Sequence, residues 1–392
     1  MLSEVTAFHT MAKGVRLVEA VESSGLVYNL AENYPFSRVN MFLARKWREG
    51  LFGELMYAEY EYVHECRSLV YTYIDGVPVV PGWTVHNWRS WQNFHYYNTH
   101  SLGPVMYITG TRPMRVVSLP GTRRLAGYIQ DSPRGIGGIA PSLITMSNGG
   151  VMRNLMGSTT NDSHAQRIWG TLGAAEIDGQ LTLRLGGAGK APAMEVTPEW
   201  PFLADLASDS GHGGGDFWVL YFFARQILTG EPAPYDVYSA ADCTIPGILA
   251  CRSSMEDGKA YDVPDYRDKG VRIRYRRDNW CQTPSDVAKG CFPVQAERAM
   301  VGEFTTIMKD LIGHAVKVRA YVDWAKVFDH VVEKGKVVSL ADEVVAHYPE
   351  MGRTMRAARR LARACPGSDG AGVINEMLDR GYADAVLGRG FL

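Results

Sequence analysis

The chain has 392 residues, 46% of them hydrophobic and 21% charged, with a formal net charge of −1. That make-up excludes a disordered chain and a globally basic nucleic-acid or membrane-surface binder. The length allows one large domain or two to three smaller ones.

The pattern predicts a helix over Thr10–Ser24, with Val15, Leu17, Val18, Ala20 and Val21 on one apolar side and Gly25 as its stop. A short buried strand over Leu26–Leu30 follows. A second helix runs over Phe36–Glu49, ended by Gly50. Glu54–His64 alternates well enough for a long, Tyr-rich strand. Residues 65–95 read as loop, and they hold Trp83, Trp88 and Trp91, either an aromatic plug or flat platforms for the C–H face of a sugar.

His100–Thr109 reads as a helix and Met114–Leu119 as a strand. Ala140–Thr145, Gly150–Ser158, Gln166–Leu172 and Ala175–Leu185 read as successive antiparallel strands, with Asn148-Gly149-Gly150 and Asp178-Gly179 as turns. Phe217–Thr229 and Ser239–Arg252 read as helices packed on that sheet. The apolar run from Phe217 to Leu228 is far shorter than the roughly 20 residues of a membrane span and reads as a buried helix. From about Ala296 to Leu387 the pattern is helical. There Arg353, Arg356, Arg359, Arg360 and Arg363 fall at helical spacing, as a solvated face would. The order, a βα start, a run of strands, then helices, is that of an α+β protein.

Six scattered cysteines with no CxxC pair read as reduced thiols rather than as a zinc site. Glu4 and His9 interrupt any apolar leader, so the expected compartment is the cytoplasm, or the periplasm if a longer precursor carries an export signal.

A dinucleotide-binding domain needs a glycine-rich turn between a strand and a helix, where backbone N–H groups hold the diphosphate. The one literal match is Gly135-Ile136-Gly137-Gly138-Ile139-Ala140. It follows a loop and precedes Pro141 and a strand, so we reject it; Gly186-Gly187-Ala188-Gly189 fails for the same reason. Only about the last βα unit and a half of such a domain is legible, in residues 1–35. Roughly a hundred residues of it would be missing.

Several segments resemble one superfamily. Glu4-Val5-Thr6-Ala7, Gly14 through Glu22, and Glu32-Asn33-Tyr34 with Arg38 are similar to the end of the nucleotide domain of Gfo/Idh/MocA oxidoreductases. Gly50-Leu51-Phe52-Gly53-Glu54 resembles the start of their second domain. Tyr97-Asn98-Thr99-His100-Ser101-Leu102-Gly103-Pro104 and Gly211-His212-Gly213-Gly214-Gly215-Asp216-Phe217 are the most specific, and within the superfamily they most resemble glycoside hydrolase family 109, NAD-dependent α-N-acetylgalactosaminidases. The resemblance covers residues 1 to about 285. It implies a large, mostly antiparallel open sheet covered by helices on one face, preceded by a Rossmann remnant (1–50) and followed by a helical extension (296–392), with residues 51–295 as the substrate domain.

The resemblance also implies chemistry: NAD takes hydride from sugar C3, the ketone acidifies C2–H, and the aglycone leaves by elimination before water adds. The dehydrogenases of the superfamily carry Glu-Lys-Pro where this chain reads Glu4-Val5-Thr6. The missing lysine weighs against simple alcohol dehydrogenation. Tyr97 and His100, three apart, are the expected proton-transfer pair, or else a buried hydrogen bond. His212, among glycines at a helix start, is a third acid/base candidate, or else part of a capping loop. Tyr62, His64, Arg67, Trp88, Arg89 and Asp216 are candidate substrate contacts. Glu32, Asn33 and Glu4 are candidate cofactor contacts, and no metal site is expected. A carbohydrate or glycoside, a second copy of the chain, and a partner supplying the nucleotide domain are the expected partners. The alternatives are a plain sugar dehydrogenase and a non-catalytic or partner-dependent sugar-binding subunit.

Overall fold

The computed structural model describes residues 1–64, 73–74, 77–78, 93–121, 138–157, 162–186, 189–280, 301–364, 366 and 369–377. The chain divides into two compact units. The first comprises Met1–His64, Asn93–Arg123 and Gly138–Pro284; the second comprises Glu65–Gln92, Arg124–Gly137 and Ser285–Leu392.

The first unit opens with β1 (Leu2–Ser3), α1 (Met11–Ser24) and β2 (Asn29–Leu30), a small parallel β-α-β unit. Thr10 caps α1 by accepting from the Lys13 amide, and Gly25 closes it at φ 64°. The strand expected over Leu26–Leu30 shrinks to two residues. The Phe36–Glu49 helix begins later, as α2 (Arg38–Arg48), because Ser37 caps it and Tyr34–Phe36 form a separate 3-10 turn.

Next come β3 (Leu55–Val63), then α3 (Thr99–Thr109), β6 (Pro113–Val117), β7 (Ile139–Met146), β8 (Val151–Gly157) and β9 (Gln166–Gly170). The small hairpin β4 (Tyr73–Ile74) and β5 (Val77–Pro78) falls in the second unit. The expected strand Ala175–Leu185 is two strands, β10 (Gly173–Asp178) and β11 (Gln180–Leu185), hinged at Gly179 with φ 71°. Two strands that the sequence did not announce, β12 (Met194–Val196) and β13 (Tyr261–Asp262), form the sheet edges.

The nine strands run in the order β12-β11-β10-β9-β3-β8-β7-β6-β13. All neighbours are antiparallel except β3 and β8, which pair in parallel in register Tyr57↔Val151 to Val63↔Gly157. The sheet is mostly antiparallel, as the resemblance implies, but the successive strands expected over Gly150–Ser158 and Gln166–Leu172 are not neighbours, because β3 lies between β8 and β9. A parallel pair needs a long crossover, and α3, β6 and β7 lie within it. Residues of period two face α3: Ala58, Tyr60 and Tyr62 from β3, and Met152, Asn154 and Met156 from β8. The opposite face is charged, with Arg153 on Glu61 at 2.6 Å and Arg167 near Glu59 at 3.7 Å.

The unit is completed by α4 (Ala204–Ser208), α5 (Gly215–Thr229), α6 (Val237–Met255) and α7 (Lys269–Arg272). α6 is the buried helix; nearly every residue from Ala240 to Cys251 is inside. α5, expected to be buried, is not. Only Gly215, Trp218 and Val219 are, while Leu220, Ile227 and Leu228 are 59%, 57% and 83% exposed.

One tie spans the unit's ends. Arg272 and the Tyr238 hydroxyl each donate to Glu22 at 2.7 Å, and these bonds hold its carboxyl at about 2 rather than 4.5. A depressed folded pKa stabilises fully above the unfolded value and is lost as pH falls toward the folded one. Urea unfolding of Glu22→Gln is therefore expected to show a deficit of about 1 kcal/mol at pH 7. That deficit shrinks toward zero between about pH 4.5 and about pH 2. A deficit constant across this window would contradict the assignment.

The second unit's described helices are α8 (Val301–Lys326), α9 (Lys334–Ala364) and α10 (Asp369–Met377), with a 3-10 turn at Phe328–His330 between the first two. The five arginines of α9 are all exposed, opposite buried Met351, Met355, Ala358 and Leu361. The expectation of a solvated face therefore holds.

Candidate active site

The end of the small β-α-β unit, the top of β3 and the start of α3 meet in one cluster. Glu32 lies two residues beyond β2 and is fully buried. His95–Tyr97 lie in a 3-10 turn capped by Asn93, and His100 sits in the first turn of α3. His100 Nδ1 lies 2.7 Å from Glu32 Oε1, which also accepts the Tyr34 amide at 3.2 Å. A carboxylate only accepts, so Nδ1 carries the proton and donates it. In the neutral ring, Nε2 is then the basic nitrogen.

Three phenol rings lock that imidazole. Tyr34 stacks on it with centroids 4.4 Å apart, and Tyr97 and Tyr62 meet it edge-on at 4.4 and 4.7 Å. Burial and the neighbouring Glu32 charge push the Tyr34 hydroxyl well above the ordinary phenol range, so it keeps its proton. The second carboxylate oxygen of Glu32 and the Asn33 side-chain oxygen are buried with no partner among the described residues.

An exposed fourth group, His164, lies beside these aromatics, 5.3 Å from Tyr62 and 6.0 Å from Tyr34. Partial desolvation pushes its pKa below the ordinary imidazole value, against the pull of Asp162. Sequence reading missed it. The available signal was Asp162-Ser163-His164, whose alternate residues share one side of an extended segment. Asp162 holds His64 Nδ1 at 3.0 Å, at a more open side of the cluster.

The glycine-rich turn forms a second open side. His212, Gly213 and Gly214 all adopt positive φ, at 52°, 61° and 98°. A side chain at Gly214 would strike the Trp200 ring, and one at Gly215 would strike the Asn33 backbone. That close approach brings Asp216 to Asn33 Nδ2 at 2.9 Å and to His212 Nδ1 at 2.8 Å. Burial raises the Asp216 carboxyl, but the bonds from His212 and Asn33 outweigh it and leave it below the ordinary value.

The structure thus brings together Glu32, Asn33, Tyr62, His64, Tyr97, His100, His212 and Asp216. Glu4 is exposed, with no hydrogen bond or ion pair among the described residues. Arg67, Trp88 and Arg89 lie outside the described residues. Of the two rejected glycine stretches, Gly138 leads into strand β7, and no described helix opens after Gly186. Among the described residues no group of three ligating side chains could hold a metal. No described helix is long and apolar enough to cross a membrane.

Residues 197–271 match the family model described as Glycosyl hydrolase 109, C-terminal domain. The chain is 28% identical over 307 residues to an alpha-N-acetylgalactosaminidase of Tannerella forsythia, covering 67% of this chain and 64% of that one. It is 25% identical over 302 residues to a glycosyl hydrolase family 109 protein of Stenotrophomonas maltophilia. The chain thus spans slightly less than two thirds of these relatives. In fold it is similar to a levoglucosan dehydrogenase solved with NADH and levoglucosan, with TM-score 0.53 and 17% identity over 67% of this chain and 73% of that one. It is likewise similar to an NAD binding oxidoreductase of Klebsiella pneumoniae, with TM-score 0.54 and 11% identity over the same shares. Over about two thirds of its length, the chain is similar in sequence to glycosyl hydrolase family 109 proteins and in fold to solved NAD-binding oxidoreductases.

Proposed function

We propose that this chain carries the sugar-binding and proton-transfer half of an enzyme that cleaves or modifies a glycoside by a redox-assisted route. The observation that carries the reading is the buried Glu32–His100 pair, fixed in one tautomer inside the ring of Tyr34, Tyr62 and Tyr97. Such a pair gives His100 Nε2 a set direction and a partner for the positive charge that develops when it takes a proton. Tyr97, edge-on to His100, is the second group for proton transfer at C2 or C3 of the sugar. His212, paired with Asp216 at the solvent edge, is the acid for the departing aglycone. The Tyr62 ring and His64 offer contacts to the sugar itself.

The cofactor implied by this chemistry is NAD, which when bound supplies the hydride acceptor at C3. The two orphaned buried oxygens, of Glu32 and Asn33, fit the amide N–H groups of a nicotinamide. A diphosphate does not fit, because no glycine-rich turn among the described residues opens a helix after a strand. We assign that grip to a partner chain that supplies the nucleotide-binding domain. A homo-oligomer joined through the charged face of the nine-stranded sheet is the proposed assembly.

The test is to denature the purified protein and quantify released nicotinamide nucleotide, then assay cleavage of an aryl α-N-acetylgalactosaminide with NAD⁺ present. About one nucleotide per chain, with cleavage lost in Tyr97→Phe, is the expected result. Net NADH production from a free sugar would make the protein a plain dehydrogenase. Absence of bound nucleotide together with no affinity for added NAD⁺ would leave it a sugar-binding subunit.

A further inference from the structure

A pocket of about 320 Å³ lies between α2 and the end of α3 on one side and α5 and residues 231–234 on the other. It is separate from the Glu32–His100 cluster. Tyr107, which lines it, is seven residues beyond His100 on α3, roughly 10 Å along the helix. Phe36 packs behind its wall, 5.2 Å from Tyr107 and 5.1 Å from Phe222. No group assigned to glycoside chemistry reaches this pocket.

Its lining has two components. Phe42, Tyr107 and Phe222 give flat apolar walls, hardened by three prolines. Arg45, Arg48 and Arg225 bring three guanidinium groups against two carboxylates, Glu199 and Glu231. The arginines differ in what already occupies them. Arg225 is paired with Glu231. Arg45 lies over the Phe42 ring at 5.7 Å and only 4.0 Å from Glu49. Arg48 donates Nε to the Ala44 carbonyl at 3.1 Å and hydrogen-bonds the Tyr107 hydroxyl, and it has no carboxylate within ion-pair distance among the described residues. A guanidinium with no carboxylate partner, at the rim of an aromatic pocket, is a usual means of taking a carboxylate. The volume is that of a small ligand site, at the low end of the usual range of roughly 300–1,000 Å³.

We propose that this pocket is a second ligand site, distinct from the reaction centre, and that it takes a small ring-bearing carboxylate. The ring lies between Phe42 and Phe222, and the carboxylate sits on Arg48. One ring with its acid group fits within the volume, and the excess of one positive charge among the lining residues selects the anion over a neutral analogue.

The experiment is calorimetric titration of the whole protein with 4-hydroxybenzoate, with benzyl alcohol as the neutral control and sulfate as the ringless anion. Saturable binding of 4-hydroxybenzoate is expected, about tenfold tighter than either control. Arg48→Gln is expected to weaken it about tenfold, and Phe222→Ala to weaken it further. Arg48→Lys, which keeps the charge but loses the fork, should fall between. His100→Asn, in the reaction centre, is expected to leave it unchanged, which keeps failure of this proposal distinct from failure of the proposed function. Unfolding curves of each free variant establish that the fold is retained. Equal binding of sulfate, binding that survives Arg48→Gln in a folded variant, or no saturation at millimolar concentration would each overturn the proposal.

Discussion

Glu32→Gln is expected to cut glycoside turnover by about 10²- to 10⁴-fold while leaving the fold in place. The change keeps the shape of the side chain and an oxygen for His100 Nδ1–H and the Tyr34 amide. It removes the negative charge that fixes the tautomer and that would balance an imidazolium in a site where both partners are almost fully buried. His100→Leu is expected to behave differently. It leaves a buried carboxylate without its partner and so costs about 3–5 kcal/mol of stability as well as activity. Combining the two substitutions relieves that charge, so the double variant is expected to be more stable than His100→Leu alone. Turnover by Glu32→Gln within a few-fold of the parent would mean that the pair is structural and that the proton is moved elsewhere, with Tyr97 and His164 the next groups to examine.

The second large effect is expected at Trp218, which has no exposed surface. Its ring meets Phe202 at 4.9 Å, Tyr221 at 5.4 Å and Trp200 at 5.8 Å, and Trp200 in turn closes over Gly214. The indole N–H has no partner among the described residues, so the ring contributes through packing. Trp218→Ala should cost about 3–5 kcal/mol. It should also loosen the turn that presents His212 and Asp216, read as faster amide exchange over residues 210–217. Trp218→Phe keeps most of the ring contacts and should cost markedly less. A loss under about 1 kcal/mol for the alanine variant would show that the start of α5 is anchored by other contacts.

Much of the local structure was legible in the chain. Thr10 and Gly25 bound α1 because a hydroxyl satisfies a free helical amide and glycine accepts a left-handed closing residue. The alternation of β3 and the arginine face of α9 follow from side-chain periods of two and 3.6, which are local properties. The resemblance carried by residues 97–104 and 211–217 pointed to Tyr97, His100, His212 and Asp216, and the fold sets all four in one cluster with Glu32. What the sequence could not decide were matters of distance along the chain. Glu32 and His100 lie 68 residues apart. The parallel pairing of β3 with β8 depends on which strand arrives at which edge, not on either strand's own pattern. His164 enters the site only because β9 lies beside β3. The apolar run of α5 reads the same whether buried or exposed; only the elements packed against it leave Leu220, Ile227 and Leu228 in the open. Periodicity gives each element its faces. Long-range packing decides what each face meets, and therefore which polar groups, here Glu32 and His100, become a buried, oriented pair.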